Sequence, residues 1–214
     1  MFLGLPTYGQ APLEFWVSPT GANSGLGNNA NNAAKFNLAT LQSDWLGNTQ
    51  KQNIIIYFCY SDQPYDIVGP AGNSWTQRLV IDGDLNRTVQ LIGLLGPDGK
   101  RPRLRMLPMP AGSGPANSYY PSWPPVSEFN DWLLKTRTTS PDLAGHKVLG
   151  RVVVENLELD GNFEGMGALT SVANDEGYRS FGMELWATTG RVKNVVVRNF
   201  GAVGVVPQST LEGS

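Results

Sequence analysis

A chain of 214 residues, 41% hydrophobic and 16% charged, has room for one sizeable packed domain and excludes wholesale disorder. A net charge of −2 with no basic run argues against nucleic acid and anionic membrane as partners. Twenty-five glycines and fifteen prolines suit a fold that turns every few residues.

The opening residues, MFLGLPTYGQA, place Gly9 and Ala11 before Pro12 as at a signal-peptidase site, yet no Lys or Arg precedes Lys35. Residues 1–11 therefore read either as a remnant of an export signal or as a frayed terminus. No stretch approaches the roughly 20 apolar residues of a membrane span. EFWVS (14–18) reads as a short strand with Phe15 and Val17 on one face, and a Gly/Asn-rich loop follows. In FNLATLQSDWLGN, Asn37 is placed to cap a helix, Leu38, Leu41 and Trp45 fall on one face, and Gly47 stops it. The period then changes to two. NIIIYFCY, RLVID and TVQLIGL are strands, separated by DGDLNR and ended by LLGPDG.

Residues 12–96 thus form an N-terminal cap and first strands, and the composition shifts at Pro97. Nine of the fifteen prolines fall between Pro97 and His146, so this stretch is expected to stay out of central sheet. It reads as an inserted loop, 97–147, with one helical turn in SEFNDWLLK capped by Ser127. The single cysteine, Cys59, reads as a small buried hydrophobe, and the single histidine, His146, as a loop residue. One imidazole excludes every zinc site that needs two.

Residues 148–214 carry an internal repeat. RVVVENLELDGN (151–162) superposes on RVKNVVVRNFGA (191–202), with Asn156 on Asn194, Leu159 on Val197 and Asp160 on Arg198. FGMELWA (181–187) lies between and alternates in the same way. Units this small cannot bury their own apolar faces, so they must stack, which predicts a β-solenoid. Asn156 and Asn194 would occupy equivalent corners, because Asn tolerates the left-handed conformation.

FWVSPTGANSGLG…KFNLATLQ and VVVENLELDGN…FGMELWATTGRVKNVVVRNFGAVGV resemble the right-handed parallel β-helix proteins of the pectin-lyase-like group, over roughly residues 14–95 and 148–206. The resemblance implies an all-β right-handed parallel β-helix with an N-terminal capping helix and a long proline-rich insertion. It also implies more coils than 214 residues hold, hence a chain truncated on its C-terminal side. The implied location is secreted or cell-surface, the periplasm included, and the implied partner is a polysaccharide or other glycan. Members of the group include lyases of pectate and alginate, other glycan-cleaving or epimerising enzymes, phage tailspikes and non-catalytic surface proteins. The implied activity here is lyase or hydrolase cleavage of an acidic polysaccharide such as pectate or alginate, with a non-catalytic adhesive or tailspike-like glycan-binding solenoid as the alternative. The enzymes work on the outer face of a sheet with carboxylates, with or without calcium, and a Lys or Arg as base. With Leu157, Leu159, Met183, Leu185, Val195 and Val197 inward, Glu158, Asp160, Glu184 and Arg198 point outward and are the catalytic candidates. Such carboxylates offer Ca2+ oxygen ligands, and Arg198 offers a bidentate partner for a sugar carboxylate. The aromatics Tyr119, Tyr120, Trp123 and Trp132 are candidates for stacking on sugar rings. No catalytic motif of a particular family, such as the paired-Asp signature of polygalacturonases, occurs.

Overall fold

The computed structural model describes residues 11–21, 27–46, 52–68, 75–82, 87–107, 129–137, 150–166, 178–186 and 188–208. These residues form fourteen strands and almost no helix. In chain order they are β1 (Leu13–Ser18), β2 (Ala34–Lys35), β3 (Ile54–Phe58), β4 (Tyr65–Val68), β5 (Trp75–Asp82), β6 (Thr88–Gly93) and β7 (Arg103–Leu107). Then come β8 (Phe129–Arg137), β9 (Gly150–Glu155), β10 (Glu158–Asp160), β11 (Tyr178–Trp186), β12 (Thr188–Lys193), β13 (Val196–Arg198) and β14 (Val203–Gln208).

The strands make three sheets: sheet A, β12-β9-β6-β3-β1-β2; sheet B, β13-β10-β7-β4; and sheet C, β14-β11-β8-β5. Every pairing is parallel. From β3 onward the chain visits A, B and C in rotation, so each strand pairs with those three places before and after it. The register aligns like side chains between rounds. Phe15, Ile56, Leu91, Val154 and Val192 form one row in sheet A. Tyr65, Leu104, Leu159 and Val197 form one in sheet B. Leu79, Leu134, Met183 and Val205 form one in sheet C. Alternation in β3 is strict, with Ile54, Ile56 and Phe58 buried and Tyr57 turned out to stack on Trp16. Each such aliphatic or aromatic side chain taken out of water stabilises the fold by about 1.5–3 kcal/mol.

Between β2 and β3 runs a single α-helical turn, α1 (Leu38–Thr40), whose first turn is capped by Thr40 N–H donating to Asn37 Oδ1 at 3.2 Å. The expected α-helix does not continue; Leu41–Leu46 winds as a π turn. The wider turn brings residues five apart to one side, and Leu41 and Leu46 are accordingly both in the core, 1% and 0% exposed. Gln42 pairs with the outermost strand of sheet C: its amide donates to Val80 O at 2.9 Å and accepts from Val80 N–H at 2.8 Å. At the opposite end β12, β13 and β14 are outermost in their sheets among the described residues. There the in-register Val192, Val203 and Val205 are 42%, 44% and 41% exposed.

The corner asparagines are as expected. Asn156 and Asn194 have φ of 57° and 54°, and the Asn194 amide donates to Asn156 Oδ1 at 2.8 Å. Asn156 also leans on Gly93, where an added Cβ would meet the Asn156 carbonyl oxygen at 2.0 Å.

Two expectations for Pro97–His146 are overturned. β7 and β8 both lie inside it and both are central, β7 between β4 and β10, β8 between β5 and β11. Pro102 and Pro108 flank β7 in the sequence rather than interrupt it, so no ladder donor is lost within the strand. The helical turn expected in SEFNDWLLK is a strand from Phe129. Residues 132–136 are buried throughout, so the run carries no two-residue alternation to betray it. β4, which the sequence reading passed over, has only four residues.

Candidate functional site

The outer face of sheet B carries rows of charge fixed by the register. One row runs Asp66, Arg105, Asp160, Arg198, alternating in sign from strand to strand. The next row pairs Arg103 with Glu158. Opposite charges on neighbouring strands stabilise a sheet, and here they engage directly. Arg105 Nε donates to Asp66 Oδ1 at 2.8 Å, and Arg198 donates to Glu158 Oε1 from Nε at 3.0 Å and from Nη2 at 2.6 Å.

Over this face opens a cleft of about 490 Å³. Its floor is Arg103, Glu158 and Arg198, and its walls come from two turns, Tyr60-Ser61-Asp62 and Asp98-Gly99-Lys100-Arg101. The second turn is held by Gly96 N–H donating to Lys100 O at 2.8 Å, with Asp98 and Gly99 at positive φ. Gly96 is needed because the Tyr60 ring lies against it: an added Cβ would sit 2.2 Å from that ring. Tyr60 O–H donates to Asp62 at 2.6 Å. That hydrogen bond, aided by burial and by the Asp62 charge, pushes the phenol above its ordinary range, so Tyr60 is a donor and a flat face rather than a base. Arg101 occupies the position of Asn156 one round earlier and donates to the Asn194 carbonyl at 2.9 Å and to the Asn194 side chain. Lys100 is exposed and makes no ion pair among the described residues. Four cations (Lys100, Arg101, Arg103, Arg198) thus meet three carboxylates (Asp62, Asp98, Glu158) in the lining, with Asp160 adjoining Arg103 and Arg198 from beneath it.

Of the expected catalytic residues, Glu158 and Arg198 are brought together in the cleft. Asp160 adjoins it and points outward but is buried; it is 4% exposed, its Oδ1 accepting from Asn162 N–H and from the Asn199 amide, both at 2.9 Å. Glu184 is on sheet C, away from the cleft, and is also buried, at 4%. It tolerates burial because Lys135, in register on β8, lies 2.9 Å from its Oε2. Among the expected aromatics, Trp132 is 5% exposed and stacked on Phe181 at 5.1 Å, with Lys135 Nζ 4.0 Å from its ring centroid. Tyr119, Tyr120 and Trp123 lie outside the described residues. Among the described residues no three carboxylate, Cys or His side chains converge as metal ligands. Glu158 and Asp160, which would supply oxygen ligands to Ca2+, are engaged by Arg198 instead.

Tyr60, Lys100, Arg101 and Arg103 were not anticipated. The signal was there in RPRLRML, where Arg alternates with aliphatics as on a one-sided strand. Fold and site together define an all-β protein of parallel sheets bearing a cation-lined cleft on the outer face of one sheet. No family model, curated protein or solved structure matches the chain. No helix among the described residues is long and apolar enough to cross a membrane.

Proposed function

We propose that the chain is a right-handed parallel β-helix of the pectin-lyase-like kind, from a secreted or cell-surface protein that binds and cleaves an acidic polysaccharide such as pectate or alginate. The observation that carries this reading is the cluster of Lys100, Arg101, Arg103 and Arg198 in one cleft over a parallel sheet, beside the face of Tyr60. Guanidinium groups take a uronate carboxylate in bidentate fashion, and an aromatic face takes the apolar side of a sugar ring. β-Elimination on a uronate breaks the C5–H and C4–O4 bonds and forms a C4=C5 double bond. Neutralising the carboxylate lowers the cost of removing the C5 proton. Arg103 and Arg198 supply that neutralisation; the C5 proton passes to solvent, and the departing O4 takes a proton from solvent to leave as a hydroxyl.

Incubation with polygalacturonate, alginate and neutral glycans tests this. Unsaturated uronide absorbance with the acidic polymers alone, lost in Arg198→Ala, is the expected result; neither turnover nor binding on any of them refutes it. A non-catalytic glycan-binding solenoid is the second reading. It is favoured by the ion pairing of Glu158 with Arg198, which leaves that carboxylate committed to structure. It predicts saturable binding without new reducing ends.

A further inference from the structure

Asp160 is a buried carboxylate that the chemistry above leaves without a role. Its side chain is 6% exposed and it does not line the cleft, yet it stands between two arginines that do. Oδ1 is fixed by two hydrogen bonds of 2.9 Å, one from the Asn162 backbone on its own strand end and one from Asn199 in the next round. Oδ2 faces Arg198 Nη2 at 3.5 Å and Arg103 Nη1 at 3.8 Å. Those separations are too long to consume N–H donors as hydrogen bonds and short enough to hold the charges. Arg198 is further clamped through Nε and Nη2 onto Glu158. Arg103 makes no shorter ion pair among the described residues. Both guanidinium groups are therefore tethered to one immobile anion and keep donors to spare, 34% and 45% exposed at their side chains.

We propose that Asp160 is a positioning residue: it sets the spacing of Arg103 and Arg198 so that the two guanidinium groups close together on a single anionic group of the bound glycan. The proposal rests on the cleft being an anionic-glycan site, and it makes a prediction opposite in sign to simple electrostatics. A carboxylate beside an anion site repels the ligand, so its removal should tighten binding. If Asp160 organises the arginines, its removal weakens binding although the cleft gains positive charge.

The test uses the full chain as wild type, Asp160→Asn and Asn199→Ala. Asp160→Asn keeps an acceptor for Asn162 N–H and Asn199 while losing the charge. Asn199→Ala keeps the charge and loosens its seat, and serves if Asp160→Asn lowers the melting temperature. Affinity for oligogalacturonate is measured by calorimetry, and the Nε–Hε signals of Arg103 and Arg198 are recorded by NMR without ligand. The expected result is binding weaker by on the order of tenfold, with both arginine signals moved toward the free-arginine position. Equal or tighter binding by Asp160→Asn, or arginine signals left unmoved, overturns the positioning role. Wild type that binds no oligogalacturonate, with the arginine signals still displaced by the substitution, upholds the arginine tether and refutes galacturonate as the ligand alone.

Discussion

The Lys135–Glu184 pair offers the sharpest test of how sheet C is covered. The two side chains are 5% and 4% exposed and 2.9 Å apart on neighbouring strands. Removing Lys135 strands the Glu184 carboxylate in a buried site, which costs about 3–5 kcal/mol. Glu184→Gln keeps the shape and a dipole and leaves Lys135 its contact with the Trp132 ring, so the cost is at the lower end, about 3 kcal/mol. At about 2–4 °C per kcal/mol for a chain of this size, the melting temperature should fall by about 6–12 °C. Lys135→Met should cost a similar amount, whereas the double variant Lys135→Met/Glu184→Leu should come out close to wild type, since an apolar pair replaces a buried ionic one at little cost. With the Glu184→Leu single variant added to close the double-mutant cycle, guanidinium denaturation then yields a coupling energy of about 2 kcal/mol or more. Single variants within about 0.5 kcal/mol of wild type, or strictly additive effects, would mean the pair behaves as a solvated surface contact.

Asn156→Ala should be less stable than Asn156→Gly by about 1 kcal/mol, because both lose the bond to Asn194 but only Ala resists the φ of 57°; urea denaturation that ranks them the other way refutes the corner argument. Gln42→Ala removes both hydrogen bonds to Val80 and should cost about 1–3 kcal/mol. In that variant the Val80 amide should exchange with solvent faster than in wild type. Tyr65 lies with its hydroxyl 2.7 Å from both Val17 O and Cys59 O, and burial, with the Cys59 charge, raises its pKa far above the ordinary phenol range. The folded state therefore keeps a proton that the unfolded state releases above about pH 10, and stability falls from there by up to about 1.4 kcal/mol per pH unit. Tyr65→Phe should flatten that part of the alkaline slope in urea midpoints, while the contribution of Cys59, also raised by burial, persists in both proteins.

What the sequence discloses and what it hides divide along the range of the interaction. Asn156 and Asn194 were legible because the left-handed conformation is a local property, and the spacing between them, 38 residues, then gave the register of β10 on β13. β7 was hidden because a proline count does not distinguish prolines that bracket a strand from prolines inside it. β8 was hidden because burial on both faces erases the alternation by which a strand is recognised. The outward direction of Glu158 and Arg198 followed from alternation, but the burial of Asp160 and Glu184 did not. Each depends on partners more than thirty residues away, Asn199 and Arg198 for the one and Lys135 for the other. The cleft combines turns from two rounds, so none of its walls is a sequence motif.

The seating of Leu41, Leu46 and Gln42 at one end of the sheets bears on the order in which the chain acquires structure. These residues are made before every strand from β3 onward, and with β5 at residue 82 they already have the strand that Gln42 engages. Each later strand pairs with one made a single round before, so a growing chain always finds its template finished and never waits for a distant C-terminal partner. Release from the ribosome is then no precondition for folding, and arrested nascent chains of increasing length should gain protease resistance one round at a time rather than all at once.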